Sequence, residues 1–240
     1  MKITLIKKIA ALFVILLISS YTQAQRVSGN GQVIEKTRQV GNFNQVGVSG
    51  SFDVFLVKGA EGKVELSVEQ NLEPYLETEV SNGKLKIRWQ KGTNIRTTKS
   101  TKVTVYFEEV NGVVLSGSGD IVSRDPLNTQ DLDVAVAGSG DIKLEVNTDH
   151  VNAAVSGSGD IELSGTTKEF SSAVAGSGDI EAYDLKAETA ELKISGSGTI
   201  RASVEKELVA RISGSGNIKY KGNPRIEDIK VSGSGNVSTY

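Results

Sequence analysis

Across the C-terminal half of the chain, apolar and polar residues alternate with a period of two. Leu132, Val134 and Val136 alternate with Asp133, Ala135 and Ala137. Ile142, Leu144 and Val146 then alternate with Asp141, Lys143 and Glu145. Successive side chains of a strand point to opposite faces, so this pattern predicts half-buried β-strands. The pattern recurs through Val151, Ala153, Val155, Ile161 and Leu163, and again through Ala190, Leu192, Ile194, Ile200, Ala202 and Val204. The inward residues are slim and aliphatic, which suits a narrow core of stacked side chains.

Between each pair of strands stands a Gly-Ser-Gly corner. Seven copies begin at Gly117, Gly138, Gly157, Gly176, Gly196, Gly214 and Gly233, spaced 18 to 21 residues apart. The second glycines are Gly119, Gly140, Gly159, Gly178, Gly198, Gly216 and Gly235. A period near 20 with strand-like flanks is the signature of a β-solenoid, one corner and two strands per rung. Stacked corners bring neighbouring backbones close together, and glycine tolerates that approach. A second corner, at 147–149, 164–166 and 221–224, varies in sequence, so differences in rung length belong there. The predicted fold is an all-β parallel β-helix with rungs of about 19 residues. Residues 113–240 supply the regular rungs.

Residues 40–112 are less regular and predict a wider N-terminal lobe of the same β structure. Residues 48–54 form a degenerate copy of the corner, with Phe52 in place of the second glycine. Strand patterns follow at 53–57, 63–68, 84–89 and 102–107. Asn82-Gly83 signals a hairpin turn. Pro74 sits where a first helical turn tolerates it, so one short helix is expected near 71–76. Residues 25–39 read as a polar lead.

The N-terminus changes the picture of where the protein works. Lys2, Lys7 and Lys8 precede an apolar run over 9–18, and Thr22-Gln23-Ala24 offers a small-x-small cleavage site. This predicts a secretory signal over residues 1–24 and a mature chain from Gln25. With no Cys after the apolar run, a lipid anchor of the usual bacterial kind is not expected. No second apolar segment predicts a membrane span after cleavage. The expected location is therefore outside the cytoplasm: periplasm, outer surface or secreted. The absence of Cys also leaves stability to the core alone. A formal net charge of −2, more negative once the leader lysines are gone, does not point to nucleic acid.

The serial Gly-Ser-Gly-Asp-Ile and Gly-Ser-Gly-Asn-Ile corners resemble those of the putative auto-transporter adhesin, head GIN domain family of exported Bacteroidetes proteins. So do Glu-Gln-Asn-Leu-Glu-Pro-Tyr-Leu at 69–76, Asn-Gly-Lys-Leu-Lys-Ile at 82–87, and the run from 103–107 into 113–117. The resemblance covers roughly residues 40–240. It implies a right-handed parallel β-helix, like pectin-lyase folds in shape but without their catalytic residues. It also implies an adhesive or envelope role and assembly as a trimer.

Candidate chemistry is sparse. Asp120, Asp141, Asp160 and Asp179 are expected to stack in a column, which reads either as a linear cation site or as turn-bonding side chains. The second reading predicts that each Asp accepts from its own turn's backbone. Thr199, Asn217 and Asn236 fill the same slot without charge, and that favours turn bonding. His150, the one histidine, is expected in an exposed corner loop. Without Cys there is no thiol nucleophile and no His/Cys metal cluster. Residues 83–102 hold seven bases and no acid, whereas 61–79 hold six Glu. Lys84, Lys86, Arg88 and Lys91 thus form a candidate strip for anionic ligands, or else the solvated outer face of a strand, since Leu85, Ile87 and Trp89 alternate with three of them.

The expectation is a non-catalytic, cofactor-free envelope protein, an adhesin or binding module for a glycan or other cell-surface ligand. Two alternatives are a polysaccharide-processing β-helix enzyme with its site in the N-terminal lobe, and a purely structural envelope protein. Self-association is expected, because a solenoid leaves an unpaired strand at each end and the last corner is as regular as those inside.

Overall fold

The computed structural model describes residues 25–240, and the leader expected over 1–24 lies outside them. The described chain is nearly all β, a solenoid of about seven turns with parallel bridges about 19 residues apart. The N-terminal strands are β1 (Gln25–Ser28), β2 (Val33–Gln39), β3 (Gln45–Gly50), β4 (Asp53–Lys58), β5 (Lys63–Glu69), β6 (Leu76–Ser81), β7 (Lys84–Trp89), β8 (Thr93–Arg96) and β9 (Lys102–Phe107). The short helix is a single 3-10 turn at Glu73–Tyr75. The rungs follow as β10 (Gly112–Gly117), β11 (Ile121–Ser123), β12 (Leu127–Asn128), β13 (Asp131–Gly138), β14 (Ile142–Asn147), β15 (His150–Gly157), β16 (Ile161–Gly176), β17 (Ile180–Gly196), β18 (Thr199–Gly214), β19 (Asn217–Lys221), β20 (Ile226–Gly233) and β21 (Asn236–Thr239).

Each rung contributes one strand to each of two parallel faces, joined by the Gly-Ser-Gly corner. On one face Val136, Val155, Val174, Ile194 and Ile212 stand in register. On the other Ile121, Ile142, Ile161, Ile180, Ile200 and Ile218 do the same. All of these are buried, so the two aliphatic columns meet inside a dry, thin core. The variable corner is a bend inside a continuous strand in three rungs, and for that reason β16, β17 and β18 run to 16 or 17 residues.

The N-terminal lobe is not simply a sequence of earlier rungs. β3 and β4 form the first rung, and β10 and β11 stack on one side of it. β7 and β9 stack in parallel on its other side. The chain thus leaves the first rung outward, builds the layer below, and then crosses back to resume above. Antiparallel β6 extends one face beyond β7, and antiparallel β5 and β2 extend the other beyond β9. The polar lead at 25–39 is ordered: β2 is the outermost of those strands, and β1 pairs in parallel with β8 as a separate ribbon.

That ribbon grows where the other rungs have a corner. Between β7 and β9 the connection takes residues 90–101 rather than a few residues. Beneath it, Phe52 is buried and packs edge-on against Trp89, with ring centroids 5.6 Å apart. Phe52 fits in a glycine slot because the glycine column begins here. The layer below offers Trp89 and the insertion, not a third Gly-Ser-Gly backbone.

At the other end the core turns polar. The inward slot filled by Leu132, Val151, Phe170, Ala190 and Leu208 holds Glu227 in the next rung. Buried Tyr220 donates its hydroxyl to Glu227 at 2.8 Å. The pair stands at an open end: Glu227 is exposed, and Ile229 and Val231 in the same strand are 40% and 43% exposed.

Candidate functional site

The corner glycines line one edge of the molecule as a stacked column. Each first glycine has φ between 121° and 143° from Gly117 to Gly233. At Gly117, Gly138, Gly157, Gly196 and Gly214 the carbonyl accepts from two N–H groups of the rung above: Gly117 O takes Ser139 N at 2.9 Å and Gly140 N at 3.1 Å. Gly138 O takes Ser158 N and Gly159 N at 2.9 and 3.0 Å. Each turn is thus bonded to its neighbour, not closed on itself.

This pattern places the aspartates differently from the sequence expectation. The turn's own N–H groups are already taken by the rung below, so the Asp side chain reaches up. Asp120 Oδ1 accepts from Asp141 N at 3.2 Å, Asp141 Oδ1 from Asp160 N at 2.9 Å, and Asp160 Oδ1 from Asp179 N at 2.7 Å. Asp179 Oδ1 accepts from Thr199 N at 2.7 Å. Above Thr199 the corresponding donor turns to backbone: Asn217 N bonds Gly198 O at 3.1 Å. The acids therefore act as inter-rung ties, and the groups around them are charge-paired. Lys143 bonds Glu162 at 2.6 Å, and Arg201 reaches Glu181 at 3.2 Å and Asp179 at 3.5 Å. Among the described residues, no His, Asp and Glu side chains converge as a metal-ligand group.

Asp160→Ala is expected to cost about 1 kcal/mol, since one N–H exchanges its partner for water at an exposed corner. Asp160→Asn, which keeps an acceptor, should cost less. A denaturant series measures both, and chelator should leave the melting temperature unchanged. A rise of several degrees with calcium, absent in Asp160→Asn, would make the column a cation site instead.

Two shallow grooves flank the glycine column. One, of about 390 Å³, runs along the aspartates between Asp120, Lys143, Glu162 and Arg201. The other, of about 490 Å³, has a floor of Ala175, Ser195, Ser213 and Ser232 and a wall of Lys193, Arg211 and Lys230. In that wall Lys193 pairs with Glu191 at 2.5 Å, and Arg211 pairs with Asp228.

The basic strip divides in two. Lys84, Lys86 and Arg88 lie on β7, opposite Ser81, Glu79 and Glu77 of β6. Arg88 Nε bonds Glu77 at 2.8 Å. The glutamates of 61–79 thus sit beside part of the basic run rather than apart from it. Lys91 lies past the strand, exposed, in the corner insertion. His150 opens β15 instead of lying in a loop, with its side chain 45% exposed. Its Nδ1 lies 2.9 Å from Asp131 and its Nε2 3.7 Å from Glu169, one carboxylate on the rung to either side. The corner hydroxyls, such as Ser158, stand beyond the far end of β15 from His150 and so do not complete a Ser-His-carboxylate triad with it.

Period-two reading misses Glu69. It follows buried Val68, yet is itself fully buried. Its carboxylate accepts from Gly31 N at 2.6 Å, Thr98 N at 2.7 Å, Thr98 Oγ1 at 2.6 Å and Lys99 N at 3.3 Å. Burial pushes its pKa up, but the hydrogen bonds from Thr98, Gly31 and Lys99 together outweigh that and hold it down to about 2. Beside it, Asn71 bonds Asn30 N and Ser28 O. Glu69 fastens the N-terminal segment to the corner insertion, and Asn71 fastens it to the turn after β5.

A depressed folded pKa stabilises the ionised form. The Glu69 contribution is complete above its ordinary pKa of 4.5 and fades as pH falls towards about 2. Glu69→Gln should remove it at neutral pH. Because β1 pairs only with β8, outside the main sheet, the loss should be local. Amide exchange should accelerate at 26–31 and 97–99 while the rungs stay protected. Equal acceleration throughout β13–β18 would refute a local tie.

The fold and sequence have close likenesses among solved structures. A crystal structure described as a putative adhesin from Bacteroides fragilis matches with a TM-score of 0.83 and 25% identity, covering 89% of this chain and 100% of the other. One described as a putative lipid binding protein from Parabacteroides distasonis matches with a TM-score of 0.74 and 29% identity, over 90% of this chain and 100% of the other. A putative adhesin from Parabacteroides merdae, 24% identical over 90% and 99% of the two chains, shares the fold with a TM-score of 0.72. No curated protein matches the chain. The model for the putative auto-transporter adhesin, head GIN domain matches residues 42–224, and the chain belongs to that family.

Proposed function

We propose that the protein is an exported, non-catalytic envelope protein that binds a glycan or other repetitive cell-surface ligand along its rungs. The carrying observation is the stacking of like outward side chains beside the corner. Ser116, Ala137, Ser156, Ala175, Ser195 and Ser213 stand in one register on successive rungs. They make a long, shallow, repeating floor, and a repeating surface meets a repeating ligand with the same contact many times over. The description of one structural neighbour as a putative adhesin favours the same reading. The acids and bases described along the rungs are tied in backbone bonds or ion pairs, which suits binding better than proton transfer.

A glycan array run beside a polysaccharide-degradation assay tests this. Binding without product supports the proposal. Product formation would make the protein an enzyme, and neither binding nor product would leave a structural role.

A further inference from the structure

The corner insertion gathers cations that have no ion-pair partner among the described residues. In the parallel β1–β8 ribbon, Arg26 stands beside Asn94 and Ser28 beside Arg96. Partners in a parallel pair share a face, so the Arg26 and Arg96 side chains leave the ribbon on the same side. Arg26, Asn94, Ser28 and Arg96 are all exposed, whereas Val27 and Ile95 between them are partly buried against the core. Lys91 and Lys99 flank the ribbon and are exposed too. Among the described residues none of these four bases has an ion pair, unlike Arg88 on the adjoining strand. Residues 90–101 include no acid. The carboxylate beneath them, Glu69, is buried and fully occupied by its four donors.

We infer that this insertion is an attachment surface for the anionic, phosphate-bearing headgroups of a lipid bilayer. Arg26, Lys91, Arg96 and Lys99 are all exposed and line neither of the grooves beside the glycine column. A plane of phosphates suits a set of exposed cations of this kind. Arginine pairs phosphate through two parallel N–H donors, so Arg26 and Arg96 carry the contact and Lys91 and Lys99 add charge. Each basic residue held at an anionic membrane surface raises partitioning about fivefold. The attraction falls within a Debye length and is weakened by salt. Glu69 and Asn71 matter here because they hold β1, and with it Arg26, in place. This attachment is separate from ligand binding along the rungs, so failure of the glycan array leaves it untouched.

Vesicle co-sedimentation of the purified protein tests it. Phosphatidylcholine vesicles containing phosphatidylglycerol should bind the protein at low salt and release it at high salt, and pure phosphatidylcholine vesicles should not bind it. Arg26→Glu/Arg96→Glu should weaken binding about tenfold or more at an unchanged melting temperature. Lys91→Glu/Lys99→Glu provides a second test should the first pair disturb the ribbon. Lys186→Glu/Lys219→Glu, with the same change in net charge on the rungs, should stay within about twofold of the parent, since those charges lie away from the insertion. Equal loss in that control, equal binding to both vesicles, displacement by dilute inorganic phosphate, or preference for a soluble anionic polysaccharide would each overturn the inference.

Discussion

Gly159→Ala is expected to destabilise the protein by about 3–5 kcal/mol, enough to lose the cooperative fold in a marginal variant. A Cβ at this position would lie 2.1 Å from the carbonyl oxygen of Gly140 and 2.9 Å from a methyl of Val136. The first obstacle is backbone, fixed by its own bonds in the stack, so no rotamer change relieves it. Separating the two rungs locally would break the bonds that Gly138 O receives from Ser158 and Gly159. Gly92→Ala makes the informative comparison. It has φ of 79°, but nothing within 4 Å of the added carbon. It should cost only the left-handed strain, about 1–2 kcal/mol. Chemical denaturation of both variants reads the difference. Similar losses would mean that the rung contact at Gly159, which has no positive φ, relaxes at little cost.

Ile161→Ala is expected to cost about 2–5 kcal/mol, and Lys143→Ala less than about 0.5 kcal/mol. Ile161 is wholly buried between Ile142 and Ile180 of the same column. A core only two side chains thick has little to collapse into the space, so the cavity contribution should persist. Lys143 lies on the outer face, where its pair with Glu162 leaves both side chains at least half exposed. Such pairs contribute little. Equal losses in the two variants would contradict the two-faced rung.

The rungs were legible because two separate constraints wrote themselves into the chain. Stacked corners admit only glycine, which gives the period, and the two-sided strands give the alternation between corners. Glu69, Phe52 and the crossing of the lobe were not legible in the same way. Glu69 is paired with residues 38 and 29 positions away, and period-two reading sends it outward. The placing of β10 beside β3 rather than β9 leaves no periodic trace, because it depends on which edge of the first rung remains open. For the aspartates the residue type was a sound guide to turn bonding but not to its direction. That direction depends on which N–H groups the rung below has already taken. The polar Glu227 stands in a slot otherwise filled by apolar residues, and register alone identifies it.

The crossing of the lobe also sets how the molecule yields to force. At the C-terminal end the last rung is bonded to one neighbour only, β20 to β18 and β21 to β19, and its removal leaves the next rung in the same position. A pull from there removes rungs singly, each releasing about 65 Å of chain for its roughly 19 residues. The lobe behaves differently, because once β10 and β11 are gone the chain leads to β9, which is bonded between β4 and β5 and stands at no open edge. It cannot be peeled while both of those strands stand. Under tension the rod would shorten in even steps and then hold as one block at the lobe.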